Sequence, residues 1–135
     1  REGNYMNIYL DVDGTILTKD KQPAEGLVEF LKHITDNHQV FWLTTHCKEG
    51  DASGVIRYLS GHLSHEGIAL LNQIHPTTWT TWKTEAIDFS KDFRWFDDFA
   101  LAPEIEELEK HHAQDKLIKI DLQPNPDTLK NYLNL

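Results

Sequence analysis

Residues 6–15 read MNIYLDVDGT, and this stretch decides the fold. Residues 6–10 form an apolar run of strand length that closes on Asp11. Gly14 then breaks the strand, and a polar segment follows as far as Gln22. Pro23 suits a first helical turn, and Leu27, Phe30, Leu31 and Ile34 recur at helical spacing, which makes one face apolar. Strand, turn and amphipathic helix in that order are the opening of a βαβ unit.

The same alternation continues along the chain. Residues 39–43 (QVFWL) read as a second strand stopping at Thr44 and Thr45, and Asp51 or Ser53 caps a short helix carrying Val55, Ile56 and Leu59. Residues 68–71 (IALL) read as a short third strand, and 83–89 as a helix of one or two turns. Residues 93–96 (FRWF) form a fourth strand that runs into Asp97 and Asp98. Pro103 opens a helix with Ile105 and Leu108, residues 117–122 (LIKIDL) make a fifth strand, and Asn125-Pro126 starts a terminal helix with Leu129, Tyr132 and Leu133. The expectation is a single α/β domain over 1–135: a three-layer Rossmann-like fold with a mainly parallel five-stranded sheet between helices. Right-handed crossovers place the C-terminal ends of all strands on one edge, where such sheets bind ligands. Asp11, Thr44, Asp97 and Asp98 stand at those ends.

Composition excludes several classes of function. The 135 residues hold 13 Lys and Arg against 22 Asp and Glu, a net charge of −9, which disfavours broad nucleic-acid binding. Hydrophobic residues make up 39%, enough to build a core, yet no apolar run reaches the roughly 20 residues of a membrane span. A single cysteine, Cys47, rules out an internal disulfide framework. With no charged-then-apolar leader, these features predict a soluble protein of a reducing, cytoplasmic compartment.

Asp11 and Asp13 would repel each other in a dry crevice unless a cation lay between them. With Asp97 and Asp98 on the same rim, four oxygen-bearing side chains suit Mg²⁺, which takes few protein ligands and shares phosphate oxygens. A carboxylate is also a competent nucleophile towards phosphorus, and a second one can protonate the leaving oxygen and then activate water. Charge on a transferring phosphoryl group requires donors and cations. Thr44, with Thr45 beside it, offers hydroxyls, Lys83 an ammonium, and the region of Gly14 backbone N–H groups. Lys83 is preferred to Lys91, which stands at the entry of the fourth strand and so at the far edge.

The ordered set of DVDGT, FWLT, Lys83 and FRWFDD resembles the haloacid dehalogenase-like (HAD) hydrolase superfamily over residues 6–122. That resemblance implies Asp11 as nucleophile, Asp13 as acid and base, Thr44 and Lys83 as phosphate holders, and Asp97 and Asp98 as the metal group. It implies a phosphatase or phosphotransferase, because the second Asp of the first motif is present. The short stretch from Asp13 to Pro23 leaves room for a flap only, and the gap from Thr44 to Lys83 leaves little for a cap. The chain thus resembles the capless subgroup, whose open sites suit bulky or macromolecular phosphorylated substrates or borrow a lid from a partner subunit.

Other readings fit less well. An EF-hand loop counted from Asp11 would need Gly at Ile16 and Glu at Gln22. A glycosyltransferase DxD site would not require Thr44, Lys83 and the acidic pair in this order. A receiver domain would carry its phosphoacceptor on the third strand, where this chain has IALLNQ. A metal- or phosphate-binding regulatory domain without turnover, and a phosphotransferase, stay open as alternatives. His46 and Cys47 read as a loop histidine and a buried thiol, Trp79 and Trp82 as loop packing, and residues 104–110 as the solvated face of a helix.

Overall fold

The computed structural model describes residues 5–135. Four strands, β1 (Asn7–Leu10), β2 (Gln39–Trp42), β3 (Phe93–Asp97) and β4 (Leu117–Lys119), form an all-parallel sheet in the order β2-β1-β3-β4. Four helices surround it: α1 (Leu27–Asn37), α2 (Ser53–Ser60), α3 (His65–Leu71) and α4 (Ala102–Lys110). The α/β class is as the sequence indicates, with one strand fewer than expected. Among the described residues no helix is long and apolar enough to cross a membrane.

All four residues of β1 are buried, as a central parallel strand covered on both faces requires. Alternation sends Ile8 and Leu10 into a core with Phe30, Leu31 and Ile34 of α1 and Leu71 of α3. Tyr9 points the other way, into a second core with Phe93, Trp95 and Leu108 of α4. The sheet therefore lies between two apolar layers.

Register fixes the functional edge. Leu10 pairs with both Trp42 and Phe96, so β1 and β2 end level and β3 runs one residue further, to Asp97. The ladder continues one step further, with the Asp11 amide donating to the Phe96 carbonyl at 3.0 Å and the Leu43 amide to the Leu10 carbonyl at 2.7 Å. Asp11, Thr44, Asp97 and Asp98 leave the sheet together.

Residues 68–71, expected as a strand, belong to α3. A short continuous apolar run suits either state, and local capping decides it here. The Ser64 side chain accepts the Gly67 amide at 3.2 Å, and Leu70 and Leu71 turn inward. The outer edge of β2 is met instead by a single residue, His75. Its amide donates to the Val40 carbonyl and its carbonyl accepts from the Trp42 amide.

Other expected boundaries shift. The first helix starts at Leu27, because Pro23 is taken up by a bridge to Leu17 in the flap. That flap is a tight turn in which Lys21 adopts a positive φ of 63° and its amide donates to the Thr18 carbonyl. The helix expected over 83–89 is one 3-10 turn, Lys83–Ala86, and the terminal helix is a 3-10 segment, Thr128–Tyr132. β4 stops at Lys119, short of the expected Leu122, although the Ile120 amide still donates to the Asp97 carbonyl. Between Thr44 and Lys83 lie α2, α3 and a loop pinned by Thr77, whose hydroxyl donates to the Trp42 carbonyl at 2.6 Å.

Candidate active site

Asp11 and Asp97 follow or end neighbouring parallel strands and are 7% and 1% exposed. Two buried carboxylates so close need a cation, and Lys83 supplies one. Its Nζ lies 3.1 Å from Asp11 Oδ1 and 2.7 Å from Asp97 Oδ2. Burial acts to lower the Lys83 pKa, but Asp11 and Asp97 outweigh it and hold the ammonium charged. Burial also pushes Asp11 upward against the opposing Lys83. Asp97 rises to about 8, through burial first and the charge of Asp11 second, with Lys83 again opposing. Lys91, the competing lysine, is exposed and engages neither carboxylate.

The position of Lys83 is built by a residue that sequence reading placed on a solvated helix face. Glu104 of α4 is 3% exposed; its Oε2 accepts the Lys83 amide at 2.7 Å and its Oε1 accepts the Leu101 amide at 2.9 Å. One carboxylate thus satisfies the start of α4 and the start of the Lys83 turn. Glu85 does the same for the approaching loop, accepting the amides of Thr80, Thr81 and Trp82.

Asp97 is fixed on every side. Its Oδ2 also accepts Trp95 Nε1–H at 3.1 Å, and its Oδ1 accepts the Phe99 amide at 3.1 Å. Thr15 donates to Asp11 Oδ2 at 3.3 Å. Asp98 is exposed at the rim, and oxygens of Asp11, Asp97 and Asp98 all lie within 4.8 Å of one another. They are the one group among the described residues with metal-ligand spacing, and Asp13, expected in the same set, is not among them.

The Asp13 carboxylate is held by a different set of partners. Its Oδ2 accepts His46 Nε2 at 2.8 Å, and its Oδ1 accepts the Tyr58 hydroxyl at 2.7 Å and Lys21 Nζ at 3.3 Å. Burial alone would raise Asp13, but these hydrogen bonds prevail and hold it below the usual carboxylate range. In sequence His46 is a loop histidine after the second strand, and Tyr58 and Lys21 belong to no motif.

Gly14 contributes space rather than an amide. Its N–H donates to the Leu17 carbonyl at 2.7 Å, so the expected phosphate-facing donor is already engaged. Its φ is +80°, and a Cβ there would lie 2.4 Å from Asp98 Oδ2. Thr44 is buried, and its Oγ1 accepts the His46 amide at 3.2 Å. Thr45 is exposed. It lines a cleft of about 390 Å³ that also holds Lys48, Trp79, Lys83 and Phe99. On the other side of Asp98 a larger groove of about 670 Å³ runs between the flap and the loop after β4, past Gly14, Gln22, Lys119 and Asp121. Trp79 packs in the second core, as expected of a loop tryptophan, whereas Trp82 is partly exposed. Cys47 is a buried thiol.

The arrangement can therefore hold two buried carboxyl groups against a fixed ammonium and offer oxygen ligands to a hard cation, with the Asp13 carboxylate held by its own donors two residues after Asp11. Against family models, curated proteins and solved structures, the chain matches none.

Proposed function

We propose that the chain is a Mg²⁺-dependent phosphohydrolase of HAD type, cleaving a phosphomonoester through an aspartyl phosphate on Asp11. The observation that carries this reading is Lys83 Nζ, bridging Asp11 and Asp97 at 3.1 and 2.7 Å with Asp98 alongside. A carboxylate kept in place by a fixed cation, with further carboxylates beside it, is what attack on a phosphoryl group requires. The ordered motifs of the sequence support the same assignment.

The donor set fits Mg²⁺. All the candidate ligands are hard oxygens, in the small number that Mg²⁺ accepts. Asp11, Asp97 and Asp98 would hold the ion, which when bound neutralises charge on the phosphoryl oxygens.

The chain's own residues supply the rest. A carboxylate oxygen of Asp11 attacks phosphorus, and the bond from phosphorus to the ester oxygen breaks as Asp13 gives that oxygen its proton. Water then attacks the aspartyl phosphate, Asp13 takes a proton from it, and inorganic phosphate leaves with the Asp11 carboxylate restored. Asp13 rests ionised, ready for the second step. The arriving phosphate, a like charge, raises its affinity for the proton that the first step consumes. Lys83 and the hydroxyls of Thr44 and Thr45 meet the phosphoryl charge.

Among the described residues nothing caps the two clefts beside Asp98, which suits a bulky phosphorylated substrate, and the acidic, single-cysteine chain suits the cytoplasm. The test is hydrolysis of an aryl phosphate with and without Mg²⁺, run beside Asp11→Asn. Metal-dependent turnover that vanishes in the variant supports the reading; equal turnover in both proteins overturns it.

A further inference from the structure

Asp13 is half exposed, with 47% of its side chain open, and an aspartate so placed on a turn would ordinarily sample several rotamers. Here three donors from three separate parts of the chain converge on it: Lys21 from the flap, His46 from the loop after β2, and Tyr58 from α2. The two shorter contacts, 2.8 Å from His46 and 2.7 Å from Tyr58, take one carboxylate oxygen each. The two rings also stack on each other, with centroids 4.2 Å apart and planes within 19°. The imidazole is tied to the rim through its own backbone, because the His46 amide donates to Thr44 Oγ1. Lys21 completes the cluster by contacting the Tyr58 hydroxyl as well as Asp13.

We propose that His46 and Tyr58 are positioning residues that aim the Asp13 carboxyl at the ester oxygen of the substrate. This role rests on the phosphohydrolase reading above and assigns two residues to its proton-transfer step. The pair is suited to that task by its construction. Each ring is locked by the other, so both donors approach Asp13 from fixed directions, and geometry set in advance is what general acid catalysis needs. Lys21, at 3.3 Å and on the exposed flap, is the contact that yields when Oδ1 turns to the substrate. No bond beyond those of the hydrolysis is made or broken.

A leaving-group comparison tests the role. p-Nitrophenyl phosphate departs with little protonation, whereas β-glycerol phosphate requires the acid. His46→Ala and Tyr58→Phe should lower kcat/KM, which reads only the steps up to cleavage of the ester bond, by roughly tenfold to a hundredfold for β-glycerol phosphate, part of the usual range for general acid catalysis. For p-nitrophenyl phosphate the loss in kcat/KM should be about threefold. His46→Gln, which keeps an N–H donor, should recover most of the activity. In an Asp13→Asn background, His46→Ala should add no further loss. Equal losses on both esters, or a full additional loss in that background, would overturn the positioning role and leave the hydrolase reading intact. A parent protein that turns over neither ester would overturn the hydrolase reading, and the role with it. Should His46→Ala fail to fold, Tyr58→Phe, which removes one oxygen and keeps the ring stack, carries the comparison.

Discussion

Lys83 Nζ stands 2.7 Å from Asp97 Oδ2, a contact in which the lysine side chain is 12% exposed and the aspartate 1%. Removing one partner of so buried a pair leaves the other uncompensated, and here Asp11 would be left as well. Lys83→Met should therefore destabilise the chelator-treated protein by about 3 kcal/mol and abolish turnover. Mg²⁺ should restore more stability to the variant than to the parent. Chemical denaturation with and without Mg²⁺ measures both effects.

Asp97 makes stability depend on pH. Its folded value of about 8 lies above the ordinary 3.8, so the folded state binds a proton that the unfolded chain releases. Its contribution is complete below the unfolded value and is lost as pH rises towards the folded one. Chelator-treated protein should accordingly lose stability from this group between about pH 4 and pH 8. Asp97→Asn should flatten that part of the profile. Denaturation midpoints across the range decide the matter: parallel profiles for parent and variant would contradict the assignment.

Glu104 accepts two amides with one buried carboxylate. Glu104→Ala should cost on the order of 2 kcal/mol, since two part-buried amides lose the charged partner they share. It should also lower kcat, because the turn that presents Lys83 loses its anchor. Thermal melts and steady-state kinetics on one preparation would show both losses together, whereas a merely solvated glutamate would show neither.

Gly14 and Asp98 are in contact through the absence of a side chain. Gly14→Ala meets both a left-handed φ of +80° and the Asp98 carboxylate. The substitution should cost upwards of about 1 kcal/mol and weaken Mg²⁺ binding, because Asp98 must move. Isothermal titration with Mg²⁺ reads the second effect directly.

How much was legible in the sequence differs between the strand ends and everything that packs around them. Asp11, Asp97 and Asp98 could be brought together because they close parallel strands on one edge, whereas Lys83, in a 3-10 turn, was reached only through its spacing before Asp97 and the resemblance. The run IALL could not be assigned by apolarity; its helix is set by Ser64, whose side chain accepts the Gly67 amide. Glu104 looked like one acid in a charged helix, yet Pro103 and an acid in the first turn are a helix-start signal that would have found it. The only hint for His46 was its place directly after Thr44 and Thr45. Its partner is 33 residues away, and only the folded flap, rim loop and α2 bring it against Asp13.

In the proposed reaction Asp11 takes the phosphoryl group. Asp13→Asn should still accept it from p-nitrophenyl phosphate but release it slowly, so the covalent species should accumulate. The measurement is the mass of acid-quenched Asp13→Asn protein after incubation with Mg²⁺ and p-nitrophenyl phosphate, followed by peptide mapping. One phosphoryl group on the peptide containing Asp11, removed by hydroxylamine and absent in Asp11→Asn, is the predicted result. Turnover of the ester by the parent protein with no adduct at Asp11 in the quenched variant would contradict the account.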